Sequence, residues 1–202
     1  MPRHLILHSL LAIILATQAT AAQFEWFPPE ARESAAVDMA AKIAEIDLGT
    51  EVDDATRLQA ARGFVADILS RLDEWGVEKL VEEAPDVSDL EFPPSDNRYL
   101  DAMARYGLCT YFLETNFADV AADADGPDFR LSAAMGLMSV SMVNLTLLHA
   151  YSEDGGSEEG FQTYFNSEAM NQFSQSLAEN EGFLDYTSER CSPVLLAMLG
   201  KA

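Results

Sequence analysis

LSAAMGLMSVSMVNLTLLHAYS, running from Leu131 to Ser152, carries no Asp, Glu, Lys or Arg and is apolar on nearly every side. Ordinary surface helices keep their apolar residues to one stripe; a helix without that asymmetry belongs inside something. The stretch is about long enough to cross a bilayer, which needs roughly 20 residues. Ser132, Ser139, Ser141, Asn144, Thr146 and His149 dilute it too far for lipid, and no basic cluster flanks it. Its remaining place is the centre of a helical bundle. The segment 131–150 is therefore predicted as a central helix wrapped by others.

The neighbouring segments supply the wrapping. After the aromatic arm QFEWFPP (Gln23–Pro29), a helix is expected from Pro29 to Leu48, with Ala36, Met39, Ala40, Ile43 and Ile46 at three- and four-residue steps. Gly49 is its natural stop. Thr50 is expected to cap a second helix, whose stripe of Leu58, Ala61, Val65, Ile68, Leu69 and Leu72 faces inward until Gly76 interrupts it. Residues 84–97 hold three prolines among acids and read as a loop. A third helix is expected from about Asn97, capped by Ser95 or Asp96, to Ala122. Beyond the central helix, Ser157 is expected to cap a fifth helix reaching Glu179, and Ser192-Pro193 to open a short last one. No strand or hairpin signal and no fixed-period repeat occurs. The fold class is all-α, a single-domain bundle of about five to six helices, which suits a chain of 202 residues that is 49% hydrophobic.

At the N-terminus, Arg3 and His4 precede an apolar run from Leu5 to Ala16, and Ala19-Thr20-Ala21 offers small residues at the positions a signal peptidase accepts. Residues 1–21 are expected to be a cleaved secretory signal peptide, residues 22–202 the helical domain, and the destination periplasmic or secreted. Cleavage would leave 11 basic residues, twelve less Arg3, against 34 acidic ones. Such a surface repels nucleic acid and anionic lipid, both polyanions. It suits a salty extracytoplasmic setting, or a basic protein or peptide as partner. Two cysteines are too few for a disulfide scaffold. In an oxidising compartment, Cys109 in the third helix and Cys191 before the last are expected to form one disulfide.

Catalytic signatures are missing. There is no phosphate-binding glycine loop and no GxSxG elbow. His149 is the one imidazole left after cleavage, and its place at a helix end is explained by polarity and the dipole. Asp123–Asp128, DADGPD, resembles a fragment of a calcium loop, but Ala121 and Ser132 stand where ligands are required. Met135, Met138 and Met142, with His149 further along, could offer soft ligands to Cu(I), although methionine also fills irregular cores. The sequon Asn144-Leu145-Thr146 falls on the central helix. No cofactor and no catalytic or metal residue is assigned. The expected role is binding or structural work in the cell envelope, with a cationic protein or peptide as partner, in the manner of an inhibitor or immunity protein. A periplasmic Ca²⁺ or Cu⁺ binder and a carboxylate-based hydrolase are the alternatives.

Overall fold

The computed structural model describes residues 29–44, 53–123, 127–179 and 182–198, with the backbone alone at 29–31, 42–43, 114–123, 127–134, 178 and 184. The expected leader, the arm before Pro29, the stop at Gly49 and the cap at Thr50 lie outside these residues, as does the middle of DADGPD. Among the described residues the chain forms seven helices and no strand: α1 (Pro29–Ala44), α2 (Asp54–Glu82), α3 (Arg98–Asp123), α4 (Pro127–Glu153), α5 (Glu158–Phe165), α6 (Glu168–Glu179) and α7 (Phe183–Met198). The molecule is an all-α bundle.

The apolar stretch Leu131–Ser152 lies in α4, which packs against α1, α2, α3 and α7 at once. Val140, Met142, Val143 and Leu147 have no solvent exposure. Three of the hydroxyls that counted against a membrane span are also inside, and each donates to the carbonyl four residues earlier: Ser139 to Met135, Ser141 to Leu137 and Thr146 to Met142, at 2.8–2.9 Å. A buried hydroxyl is tolerated when it is bonded in this way. No helix among the described residues is long and apolar enough to cross a membrane.

Local signals fix most of the remaining boundaries, with some shifts from expectation. Gly76 breaks α2 at φ +70°, a conformation that glycine adopts without strain. The cap of α2 is Asp53, whose carboxylate accepts from the Thr56 backbone N–H at 2.9 Å and from the Thr56 hydroxyl at 2.7 Å. For α3 the cap is Asn97 instead of Ser95 or Asp96. The Asn97 side chain accepts from the N–H groups of Tyr99 and Leu100, while Ser95 braces Asn97 itself. Ser157 caps α5 as expected, its hydroxyl accepting from Gly160 N–H at 3.0 Å.

Two expectations need correction. The fifth helix is two helices, because Asn166 closes α5 and Ser167 starts α6 by accepting from Met170 N–H at 3.2 Å. The last helix begins at Phe183, not at Ser192. Phe183, Thr187, Cys191, Leu195 and Met198 form a stripe at four- and three-residue steps that is at most 8% exposed. Pro193 therefore sits inside α7, on its solvent side. It removes one hydrogen bond, to the carbonyl of Glu189, a residue that is itself exposed.

Two apolar clusters result. The larger gathers α1, α2, α3, α4 and the end of α7. The smaller joins Val87 of the 83–97 loop to Ala104, Leu108, Met170, Phe173, Leu177 and Phe183. The sulphurs of Cys109 and Cys191 are 2.12 Å apart and the Cα atoms 5.4 Å apart, in the range of a disulfide. Both cysteines are at most 1% exposed, and the bridge ties α7 to the middle of α3.

Candidate binding surface

The chain is short of cations, and the fold uses nearly all of those described for its own purposes. Arg32 pairs with Asp73 at 2.6 Å, Arg98 with Glu78 at 2.6 Å, Arg105 with Asp101 at 3.1 Å and Arg190 with Asp89 at 2.8 Å, while Arg57 pairs with Asp54. Arg71 donates to the Met198 carbonyl at the end of α7. Arg105 also reaches the carbonyls of Ala84 and Pro85, and Arg190 that of Asp86. Lys79 lies over the Trp75 ring at 4.6 Å. Exposed pairs of this kind contribute little to stability, about 0–1 kcal/mol each. Their effect here is to position the ends of α2 and α7 and the loop between α2 and α3.

That loop is held closely. Phe92 packs edge-on against Phe173 at 4.9 Å, and the Tyr164 hydroxyl donates to the Pro93 carbonyl at 2.9 Å. The Tyr186 hydroxyl bonds the Asp89 carboxylate while the Arg190 guanidinium lies 3.8 Å from the centre of the Tyr186 ring. Partial burial, then the bond to Asp89, pushes the Tyr186 phenol well above its usual range. The Ser88 N–H, and secondarily Arg190, hold the Asp86 carboxyl below the usual carboxylate range. Asp86 and Asp89 thus act as acceptors within the loop.

The opposite balance holds further along the chain. Between Leu131 and Glu189 there are nine acidic residues and no Lys or Arg. Eight of the nine have described side chains (Glu153, Asp154, Glu158, Glu159, Glu168, Glu179, Asp185 and Glu189), and all eight are exposed. Among the described residues only Glu189 has a basic neighbour, Arg190 at 3.7 Å. The helices α5 and α6 and the turns around them therefore present uncompensated negative charge. Within this surface α5 carries Phe161, Tyr164 and Phe165, with ring centres 4.7 Å and 5.0 Å apart along the series Phe161–Phe165–Tyr164. None of its eight residues is fully buried.

Compared with protein families, with characterised proteins and with solved structures, the chain matches none. What the surface does must therefore be argued from its own chemistry.

The other sequence candidates fall into place around it. Met138 and Met142 are 4% and 0% exposed and belong to the core, with Met135 half-buried beside them. His149 lies half-buried near the end of α4. Its Nδ1 and the Asn144 Oδ1 are shut away from solvent without a hydrogen-bond partner. Among the described residues no three His, Cys, Asp or Glu side chains gather as a metal ion requires. The stretch free of Lys and Arg was visible as composition. That the few cations elsewhere serve as loop clamps and helix-end donors depends on contacts about 20 to 130 residues apart, which no local pattern announces.

Proposed function

We propose that this is an exported binding protein of the cell envelope whose acidic α5–α6 surface engages a cationic protein or peptide, as an inhibitor or immunity protein would. The observation that carries the reading is the 131–189 segment, with nine acids, no Lys or Arg, and every described acid exposed. The segment holds no more acids than its length predicts; what sets it apart is that it has no Lys or Arg of its own, so its exposed acids go almost entirely unpaired. The N-terminal leader pattern and a buried disulfide suit a compartment where disulfides persist. Charge of this kind steers encounter and selects basic partners over neutral ones.

The test is an affinity capture from the envelope of the source cell at low and high salt, followed by a binding curve with the purified captured protein. A basic protein should be retained whose Kd weakens by about tenfold or more between about 0.05 M and about 0.5 M NaCl. A partner that is neutral, or whose affinity ignores salt, would overturn the reading.

A further inference from the structure

We propose that residues 86–94, the middle of the loop between α2 and α3, are a strap that opens while the rest of the bundle stays folded, with Arg190 of α7 as its latch. The proposal goes beyond the cationic-partner reading and does not depend on it. The flanks of the segment are fixed by the adjoining helices. Glu83 closes α2 through its N–H to the Lys79 carbonyl, Arg105 holds the carbonyls of Ala84 and Pro85, and Asn97 caps α3. Between those flanks, among the described residues, the segment's backbone makes one hydrogen bond to itself, from the Leu90 N–H to the Val87 carbonyl at 2.9 Å.

What holds the strap down comes from elsewhere in the chain. The Arg190 guanidinium donates to the Asp86 carbonyl at 2.9 Å and to the Asp89 carboxylate at 2.8 Å. The Tyr186 hydroxyl bonds that same carboxylate, and the Tyr164 hydroxyl donates to the Pro93 carbonyl. Beneath these ties Val87, Leu90 and Phe92 pack on a seam of α3, α6 and α7 that includes Ala104, Leu108, Phe173 and Phe183. This seam is the smaller apolar cluster, and no residue of 86–94 belongs to the larger one. Lifting the strap therefore uncovers the seam and leaves the core around α4 as it was. A segment with few backbone bonds of its own and a small share of the apolar burial opens at a lower free energy than the bundle beneath it. Arg190 is the latch because one side chain meets the strap at two points, whereas Tyr186 and Tyr164 each meet it at one. It also acts from a fixed base, since the disulfide ties α7 to α3.

The test is limited proteolysis with subtilisin, following cuts between residues 86 and 94 by mass spectrometry. Each rate is divided by that of a free peptide of residues 84–97 under the same conditions, which removes effects on the protease itself. Below the unfolding transition, the logarithm of this relative rate should rise with urea less than about half as steeply as the global unfolding equilibrium does, because local opening exposes less surface. An equal slope, or no cut in the segment before the transition, would show that it opens only with the whole molecule and would overturn the strap. Arg190→Gln should raise the relative rate by about fivefold or more. Arg32→Gln removes an exposed pair of the same kind that joins α1 to α2, and should change the rate by less than about twofold. No rise in Arg190→Gln, or an equal rise in Arg32→Gln, overturns the latch. If Arg190→Gln does not fold by circular dichroism, Asp89→Asn takes its place, with the same rise expected.

Discussion

Tyr106 shows how much one side chain can hold. It is fully buried in α3, and its hydroxyl donates to the Leu80 carbonyl in the last turns of α2 at 2.9 Å. Burial pushes the phenol far above its usual range. Tyr106→Phe would leave that carbonyl unpaired and should lower stability by about 1–2 kcal/mol, measured by urea denaturation. An unchanged midpoint would mean that water replaces the hydroxyl. Glycines give a contrast of sign. A methyl group at Gly63, on the exposed side of α2, would meet nothing within 4 Å. Gly63→Ala should therefore raise stability by about 0.5–1 kcal/mol through helix propensity alone. At Gly156 the added carbon would fall 2.4 Å from the buried Tyr151 ring, and Gly156→Ala should cost about 1–3 kcal/mol. The two variants should move the thermal midpoint in opposite directions. None of this was legible in the sequence. The three residues differ in what lies across space from them, and spacing along the chain carries no trace of that.

Elements were more legible, because periodicity and capping are local. The central helix, the break at Gly76 and the cap at Ser157 follow from residues within one or two turns of each. Expectation failed where a polar residue belongs to a buried stripe. Thr187, 1% exposed with its hydroxyl given to the Phe183 carbonyl, continues the stripe of α7 upstream of Ser192-Pro193. Counted as polar, it hides that stripe and makes Pro193 look like a start. The Asn166-Ser167 break was missed for the opposite reason, since apolar residues on both sides masked a capping pair. The position of α7 depends on the disulfide as well as on packing. The closed loop spans 82 positions, for which the chain-entropy model gives about 4.5 kcal/mol as a generous figure. Cys191→Ser should therefore melt well below the parent, and limited proteolysis should cut its C-terminal segment first. Alkylation of the unreduced protein should label neither cysteine; two labels would show that the bridge is not formed.

For the molecule as a whole the governing quantity is a formal net charge of -22, with only a few arginine–carboxylate pairs among the described residues. Composition disclosed the charge, while the exposure of the α5 and α6 acids without basic neighbours needed the fold. Salt acts on both terms. It weakens the exposed pairs, which stabilise, and it screens carboxylate repulsion, which opposes compaction. The repulsive term involves many more charges, so it should win. At pH 7, raising NaCl from about 0.02 M to about 0.3 M should raise the Tm, on a scale of about 2–4 °C per kcal/mol for a chain of this size. The pH dependence has its own limits. Tyr106, Tyr164 and Tyr186 all titrate above their usual range when folded, chiefly through burial. Their contribution is complete below the unfolded value of about 10 and is lost as pH rises beyond it. Asp53 and Asp86 titrate below theirs, chiefly through backbone N–H bonds, so their contribution holds above the unfolded value of about 3.9 and fades as pH falls further. Calorimetry should find a plateau between those limits, with Tyr106→Phe softening the alkaline edge. A Tm that falls on adding salt at pH 7 would show that the arginine clamps outweigh the acidic face, and would remove the basis for treating that face as unpaired.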